Sequence, residues 1–360
     1  MNQIIFVLIG IFAVIGGLDY VLGNRFGLGH SFEEGLLTMG KLTLTMAGII
    51  VLAPVLAEVL TPVVVPVYTF LGADPGIFAG SLLASDMGGA AMARELANSK
   101  EAASLGGILA GAMLGSTVSF TLPVSMDLLS GEDRLYASKG ILCGILTIPV
   151  GVAAGGLMAG FSVKMLISNL VPIFLMAGLI ALGLWKAEKW LLKGFAVLGK
   201  GICVLAVGGL VLAGLEQLTG VTVIQGMAPL HDAFIIVGEI AVVLMGALPL
   251  LTVLNKVLQK PLNAVGDKLK INSVSVSGLI ANLANSIPMF GMIPQMDARG
   301  KVVNMAFAVS AAFVFGDHMA FTAGFEPEMV PALIVGKLVG GFAAVAVALL
   351  LTRNGKKRAQ

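Results

Sequence analysis

Stretches of about 20 or more largely apolar residues recur along this chain at roughly 4–22, 35–59, 102–126, 140–161, 165–185, 194–215, 233–255, 302–325 and 329–352. Each is long enough to cross the hydrocarbon layer of a bilayer as an α-helix, so the pattern predicts nine unbroken spans. Two further apolar stretches, 75–96 and 272–296, are interrupted. Ser81, Ser85, Asp86, Gly88 and Gly89 break the first; Ser277, Asn282, Asn285, Ser286, Pro288, Gly291 and Pro294 break the second. Whether these two cross the membrane or dip in and return sets the topology. The opening Met1-Asn2-Gln3 has no basic leader and no small-residue cleavage site follows, so the run at 4–22 is predicted as a retained helix rather than a signal peptide.

The distribution of Lys and Arg arbitrates, because loops on the cytoplasmic side carry the excess. With the C-terminal tail inside and all eleven segments spanning, the two sides receive 10 and 9 basic residues, which discriminates nothing. With the two broken segments re-entrant, the inside holds Arg25, Arg134, Lys139, Lys186, Lys189, Lys193, Lys256, Lys260, Lys268, Lys270, Arg299, Lys301, Arg353, Lys356, Lys357 and Arg358, a total of 16, against 3 outside: Arg94, Lys100 and Lys164. Lys41, Lys200 and Lys337 fall within helices and are not counted. The re-entrant arrangement is therefore expected, with a basic cytoplasmic tail at 353–360.

The broken segments also occupy corresponding places in a weak internal repeat. Met46/Met245, Pro62/Pro261, Ala84/Ala284, Met92/Met292, Gly115/Gly316, Phe120/Phe321 and Thr121/Thr322 are each spaced 199 to 201 residues apart. Repeat one is placed at about 4–161, a connecting helix at 165–185 and repeat two at about 190–352. One odd helix between two copies inverts the second, and unwound segments meeting near the midplane of inverted repeats describe a transporter architecture. The expected fold is thus an all-α polytopic membrane protein, an inverted-repeat helical bundle with two re-entrant or broken segments.

Composition agrees. Hydrophobic residues make up 58% and charged residues 12% of the 360, which excludes a water-soluble globule. The 22 Lys plus Arg nearly balance 20 Asp plus Glu, leaving no basic stripe for nucleic acid. The 47 Gly are about twice average usage and lie within apolar runs, where small residues let helices approach closely. Cys143 and Cys203 sit in apolar surroundings with no metal-site spacing, and the 18 Met fill gaps in helix packing. There is no H-E-x-x-H, G-x-S-x-G or G-x-x-x-x-G-K-[ST], so no catalytic residue, metal or cofactor is expected.

An ionisable group inside a bilayer is costly and marks a functional site by default. Asp86 precedes Met87, Gly88 and Gly89, a run that permits a tight break; its carboxylate can hold a cation, cap a half-helix, or do both. The matching run in repeat two, Asn282 to Pro288 with Asn285 and Ser286, offers neutral donors and acceptors, suited to a hydroxyl or to bonding between helices. Gly316-Asp317-His318 is expected well inside the helix at 302–325, opposite Ser116 and Thr117 of repeat one. There, His318 beside Asp317 can orient it, exchange a proton, or simply join two helices. Glu58 and Glu239 are read as solvated positions near helix ends, and His30 and His231 as loop residues.

Several long runs carry a family resemblance. They are Asp86-Met87-Gly88-Gly89 with Ala93-Arg94-Glu95-Leu96, Ala284 to Met292, Met296-Asp297-Ala298-Arg299-Gly300-Lys301, and Ala306 to Phe313 followed by Gly316-Asp317-His318. From about Phe32 to Leu338 the sequence resembles the ethanolamine utilisation transporters called EutH. The resemblance implies a bacterial cytoplasmic-membrane permease that brings ethanolamine to its catabolic pathway, mattering most in acidic media, where little neutral amine crosses lipid unaided. Its substrate at neutral pH is a small ammonium with a hydroxyl. For the charge, Asp86 and Asp317 are the candidates. Asn282, Asn285, Ser286, Ser116, Thr117 and His318 are candidates for the polar contacts, Phe120, Phe290 or Phe321 for a ring face, and Gly88 and Gly89 for the break that admits substrate. The expected partners are ethanolamine and membrane lipid, with self-association left open. Competing readings are a proton- or sodium-coupled symporter or a channel for another small solute, and a sensor or anchor that binds without transporting.

Overall fold

The computed structural model describes residues 2–353, and they form helices, with no strand among the described residues. The basic tail predicted at 353–360 lies outside the described residues from 354 onward. Among the described residues, eight helices have the length and apolarity to cross a membrane: α1 (Asn2–Val21), α2 (Leu28–Phe70), α5 (Lys100–Leu128), α6 (Gly131–Met158), α7 (Val163–Lys186), α8 (Glu188–Thr219), α9 (Leu230–Leu269) and α14 (Val330–Arg353). The two interrupted stretches are broken pairs of short helices, α3 (Gly76–Leu82) with α4 (Gly89–Leu96), and α10 (Ser273–Ala284) with α11 (Ser286–Met292). His30 and His231, read as loop residues, instead lie in the first turns of α2 and α9.

The ninth expected span, 302–325, is corrected by the structure. It is divided into α12 (Ala298–Ala311) and α13 (Asp317–Phe325), with residues 312–316 unwound and Phe313 at φ +61°. The cause is tertiary. The end of α10 leaves carbonyls without intrahelical donors, as every helix C-terminus does. The N–H of Phe313 donates to the carbonyl of Asn282 and that of Phe315 to the carbonyl of Leu283, both at 2.9 Å. Two breaks in apolar surroundings thereby satisfy each other, which is the condition for irregular backbone at membrane depth.

The element order of two long helices, a broken pair and two further helical stretches appears first in α1–α6 and again in α8–α14, with α7 between. Counterparts pack on one another: α6 lies along α14, and the N-terminal part of α2 along α9. Small residues make the α6–α14 contact. A Cβ on Gly151 would stand 2.8 Å from the Gly336 carbonyl oxygen, and a Cβ on Gly336 equally close to that of Gly151, so the two backbones touch where any larger residue would separate them. Thr147 adds a hydrogen bond to the Gly340 carbonyl at 3.2 Å.

The core centres on α5, whose residues 104–121 run almost wholly as π-helical turns and are buried along nearly their whole length. Around it, α1 and α8 present exposed apolar ridges at helical spacing, Val7, Val14 and Val21 on one and Val197, Val204 and Val211 on the other. In water such ridges would be costly, whereas in lipid they are the wetted face. Exposed Trp185 and Trp190 flank the α7–α8 link with Lys186 and Lys193 5.5 and 5.9 Å from their rings, the aromatic and basic pairing of a membrane–water boundary.

Candidate functional site

Asp86 owes its position to the glycines that follow it. The chain leaves α3 at Leu83, makes a single tight turn over Ser85–Met87, and enters α4 through Gly88. Gly88 adopts φ +90°, and a Cβ there would lie 2.1 Å from Ile49 Cγ2, so both conformation and space demand glycine. At Gly89 a Cβ would stand 2.6 Å from the Leu83 carbonyl oxygen. The turn is thus pressed against α2, and the Asp86 side chain is held at the centre of the bundle with Oδ1 buried and accepting no hydrogen bond from the described residues.

Asn285 opens the corresponding break in the second half. Its side-chain oxygen accepts from the Ile287 N–H at 2.8 Å and so caps α11. Close by, the unwound 312–316 segment delivers Asp317 and His318 at the start of α13, and the backbone there is tight enough that a Cβ on Gly316 would meet the Ala284 carbonyl oxygen at 2.1 Å.

These groups converge on one cavity of about 530 Å³. Of the residues singled out from sequence, Asp86, Ser116, Phe120, Asn285, Asp317 and His318 line it. The others sit elsewhere. Gly88 and Gly89 shape the turn. Thr117 donates to the carbonyls of Met113 at 2.6 Å and Val309 at 3.2 Å, joining α5 to α12. Asn282 is buried with its amide on the Asn304 carbonyl at 3.3 Å. Ser286 is buried as well, and Phe290 and Phe321 are packed in the apolar core, where neither ring reaches the cavity.

Three features of the site were missed. Along α2, Glu34, Thr38, Lys41 and Thr45 line the cavity at spacings of four, three and four, a polar stripe on one face of the helix. Glu34 and Lys41 are exposed, so the cavity reaches the surface beside them. Phe313 turns its ring inward from the unwound segment, edge-on to Phe120 at 5.4 Å between centroids and tilted against His318 at 5.1 Å. Lys337, set aside in the charge count, lies behind the site and is 1% exposed.

Lys337 Nζ donates to the Ala112 carbonyl at 2.5 Å and stands 3.0 Å from His318 Nδ1, while His318 Nε2 is 3.7 Å from Asp86 Oδ1. A lysine ammonium can only donate, so with Lys337 charged the Nδ1 atom must accept, and the ring proton sits on Nε2, aimed at Asp86. Three ionisable side chains from three segments remote in sequence thus form one line, ending on a carboxylate that still has a free face to the cavity. Counting the lining, Glu34, Asp86 and Asp317 outnumber Lys41, and the polar neighbours Ser116 and Asn285 are uncharged. Such a pocket suits a small cation bearing a hydrogen-bonding group, with the Phe120 and Phe313 rings to cover it. No cluster of three or more metal-ligating side chains is found among the described residues.

The family model described as ethanolamine utilisation protein EutH matches residues 1–351. The probable ethanolamine permease EutH of Listeria monocytogenes is 52% identical over 358 residues, covering 99% of this chain and 96% of that protein. Its namesake from Salmonella typhimurium is 41% identical over 389 residues, covering 98% and 95%. An uncharacterised protein of Bacillus subtilis, YxeR, is 42% identical over 352 residues, again covering 98% and 95%. No solved structure matches the chain.

Proposed function

The chain belongs to the EutH family, and from that premise and the chemistry of the cavity we propose that it carries ethanolamine, as the ammonium ion, into the bacterial cell across the cytoplasmic membrane, as a facilitator that matters most at acidic pH. Relatives named as probable permeases, together with eight apolar helices, point to a transporter rather than an enzyme. The single observation carrying the reading is the placement of Asp86 and Asp317 in one central cavity with Asn285 and Ser116 beside them. Asp86, turned by Gly88 and faced by His318, takes the ammonium; Asp317 adds to the negative field; Asn285 and Ser116 meet the hydroxyl.

Alternating access then follows from the two-copy layout. The cavity reaches the surface beside Glu34 and Lys41, in the part of α2 that follows the Arg25 loop, which the charge count makes cytoplasmic. Rocking of the α1–α6 copy against the α8–α14 copy would close that mouth and open the far end of the site. An inverted relation between the copies, with the C-terminus inside, is part of this proposal.

Uptake of labelled ethanolamine into proteoliposomes at acidic external pH, with no ion gradient, tests it. Saturable entry that halts at equal concentrations is the expected result. Entry only under a proton or sodium gradient would replace the facilitator with a coupled carrier, in which Asp86, His318 and Lys337 form the coupling line. Binding without flux would overturn transport altogether.

A further inference from the structure

Both α4 and α13 start at the central cavity and end together at a second, shallower pocket of about 360 Å³. At 1.5 Å per residue, their eight and nine residues put that pocket ~12 Å from the first. Here the Arg94 guanidinium lies 3.5 Å from the centroid of the Phe325 ring, donates to the Phe325 carbonyl at 2.9 Å and approaches the Glu326 carboxylate at 3.7 Å. The other carboxylate oxygen of Glu326 accepts from Ser104. We infer that the Phe325 ring and the Glu326 carboxylate form an outer subsite for an organic ammonium ion, which Arg94 occupies in this structure and yields to the arriving substrate.

The asymmetry of the pair supports this. Glu326 is 5% exposed and fixed by Ser104, and the Phe325 ring is stacked on Phe321 with centroids 5.0 Å apart. Arg94, by contrast, is 45% exposed and reaches in from the end of a short helix. The anion and the ring are therefore built in, and the cation is the removable part. A carboxylate with an aromatic face beside it is the chemistry that binds alkylammonium groups. Simple departure of Arg94 would strand a buried, uncompensated charge, which is strongly unfavourable, so its departure is favourable only when another cation replaces it. The subsite thereby selects cations over neutral solutes of the same size. Lys100 and Glu328, paired at 2.6 Å nearby, are 73% and 56% exposed, and such a pair is too well solvated to serve as the lock.

The inference rests on the carrier reading above, and the test separates the two. Labelled ethanolamine bound per chain is counted by equilibrium dialysis for the full-length protein in nanodiscs, in an Asp86→Asn background that disables the central site. Adding Arg94→Gln should raise the stoichiometry by one site, Arg94→Lys should not, and adding Glu326→Gln should remove the gain. Ethylene glycol, which has no charge, should not compete for the new site. An unchanged stoichiometry with Arg94→Gln overturns the subsite. Full binding by Asp86→Asn that survives Glu326→Gln would overturn the central site but leave the increment readable. A second measurement needs no substitution. In wild-type protein, ethanolammonium should speed modification of Arg94 by phenylglyoxal several-fold and ethylene glycol should not; equal rates with and without ethanolammonium refute the exchange.

Discussion

Replacing Asp86 by Asn removes one charge and almost no volume, which isolates the electrostatic part of substrate binding. An ammonium nitrogen ~4 Å from the carboxylate gains about 4 kcal/mol at the effective dielectric of ~20 typical of protein sites. Desolvation offsets part of that, and truncating one member of a buried charge pair costs about 2–5 kcal/mol in measured interfaces. The Kd for ethanolammonium should therefore rise by about 30-fold to several thousand-fold, at 1.4 kcal/mol per decade. Glu34 lines the same cavity but is exposed at its mouth, where a charge contributes about 0–1 kcal/mol. Glu34→Gln should thus stay within about fivefold of wild type and lose even that difference at high salt. Equilibrium dialysis on full-length protein in nanodiscs measures both, with monodispersity and thermal unfolding confirming that the fold survives. Asp86→Asn binding within threefold of wild type, or Glu34→Gln costing as much as Asp86→Asn, would refute the assignment of the charge to the central carboxylate.

Gly88→Ala forces a β-carbon into a left-handed turn and onto Ile49, combining ~1–2 kcal/mol of backbone strain with ~1–3 kcal/mol of overpacking; a lowered unfolding temperature and loss of uptake should appear together. Lys337→Met leaves the Ala112 carbonyl and His318 Nδ1 without their donor, at about 1–3 kcal/mol each, so it should lower the unfolding temperature, visible by differential scanning fluorimetry, and weaken ethanolamine binding, while the parent protein shows neither change. Phe120→Leu keeps an apolar side chain but removes a ring face, and should weaken binding by about 0.5–2 kcal/mol, read by titration with ethanolamine, while losing its edge contact with Phe313 lowers the melting temperature slightly. Asn285→Ala deletes the α11 cap at about 1 kcal/mol of stability, and a circular-dichroism melt should register it.

The breaks at Asp86 and Asn285 are legible in the sequence because glycine, asparagine and proline interrupt apolar runs there, and the reason is local. The break at 312–316 is not. Residues Ala311 to Phe315 form an apolar run with no turn residue before Gly316, and the unwinding comes from carbonyls of α10 lying some thirty residues earlier. Lys337 carries the intramembrane-charge signal, but its partners do not show in the sequence: Ala112 is 225 residues away, and His318, 19 residues before it, lies on a different helix. The α2 stripe was hidden because its first member, Glu34, precedes the apolar stretch assigned at 35–59. Nothing in the sequence separates Phe290 and Phe321, which pack in the core, from Phe120, which lines the cavity. Which face of a short helix meets a cavity is fixed by packing, and a seven-residue helix such as Ser286–Met292 is too short to show a periodicity.

The paired bonds from Phe313 and Phe315 to Asn282 and Leu283 have a mechanical meaning. Sliding one segment past the other would orphan two donors in a medium that offers no replacement, about 1–3 kcal/mol for each. The α10–α11 hairpin and the α12–α13 stretch are consequently welded into a single block. The turn at 84–89 has a different attachment: Met87 and Gly89 both bond back to Ala84 within the turn itself. Its polar reach beyond itself is looser: a 3.3 Å bond from the Ala84 N–H to Ser119, a 3.9 Å contact from the Ser119 hydroxyl to Met87 Sδ, and His318 Nε2 at 3.7 Å from Asp86. One side of the chamber is therefore an anvil and the other a jaw held by fewer polar bonds. Amide exchange should be slowest at 313 and 315 and fastest, among buried positions of the chamber, at the turn that presents Asp86.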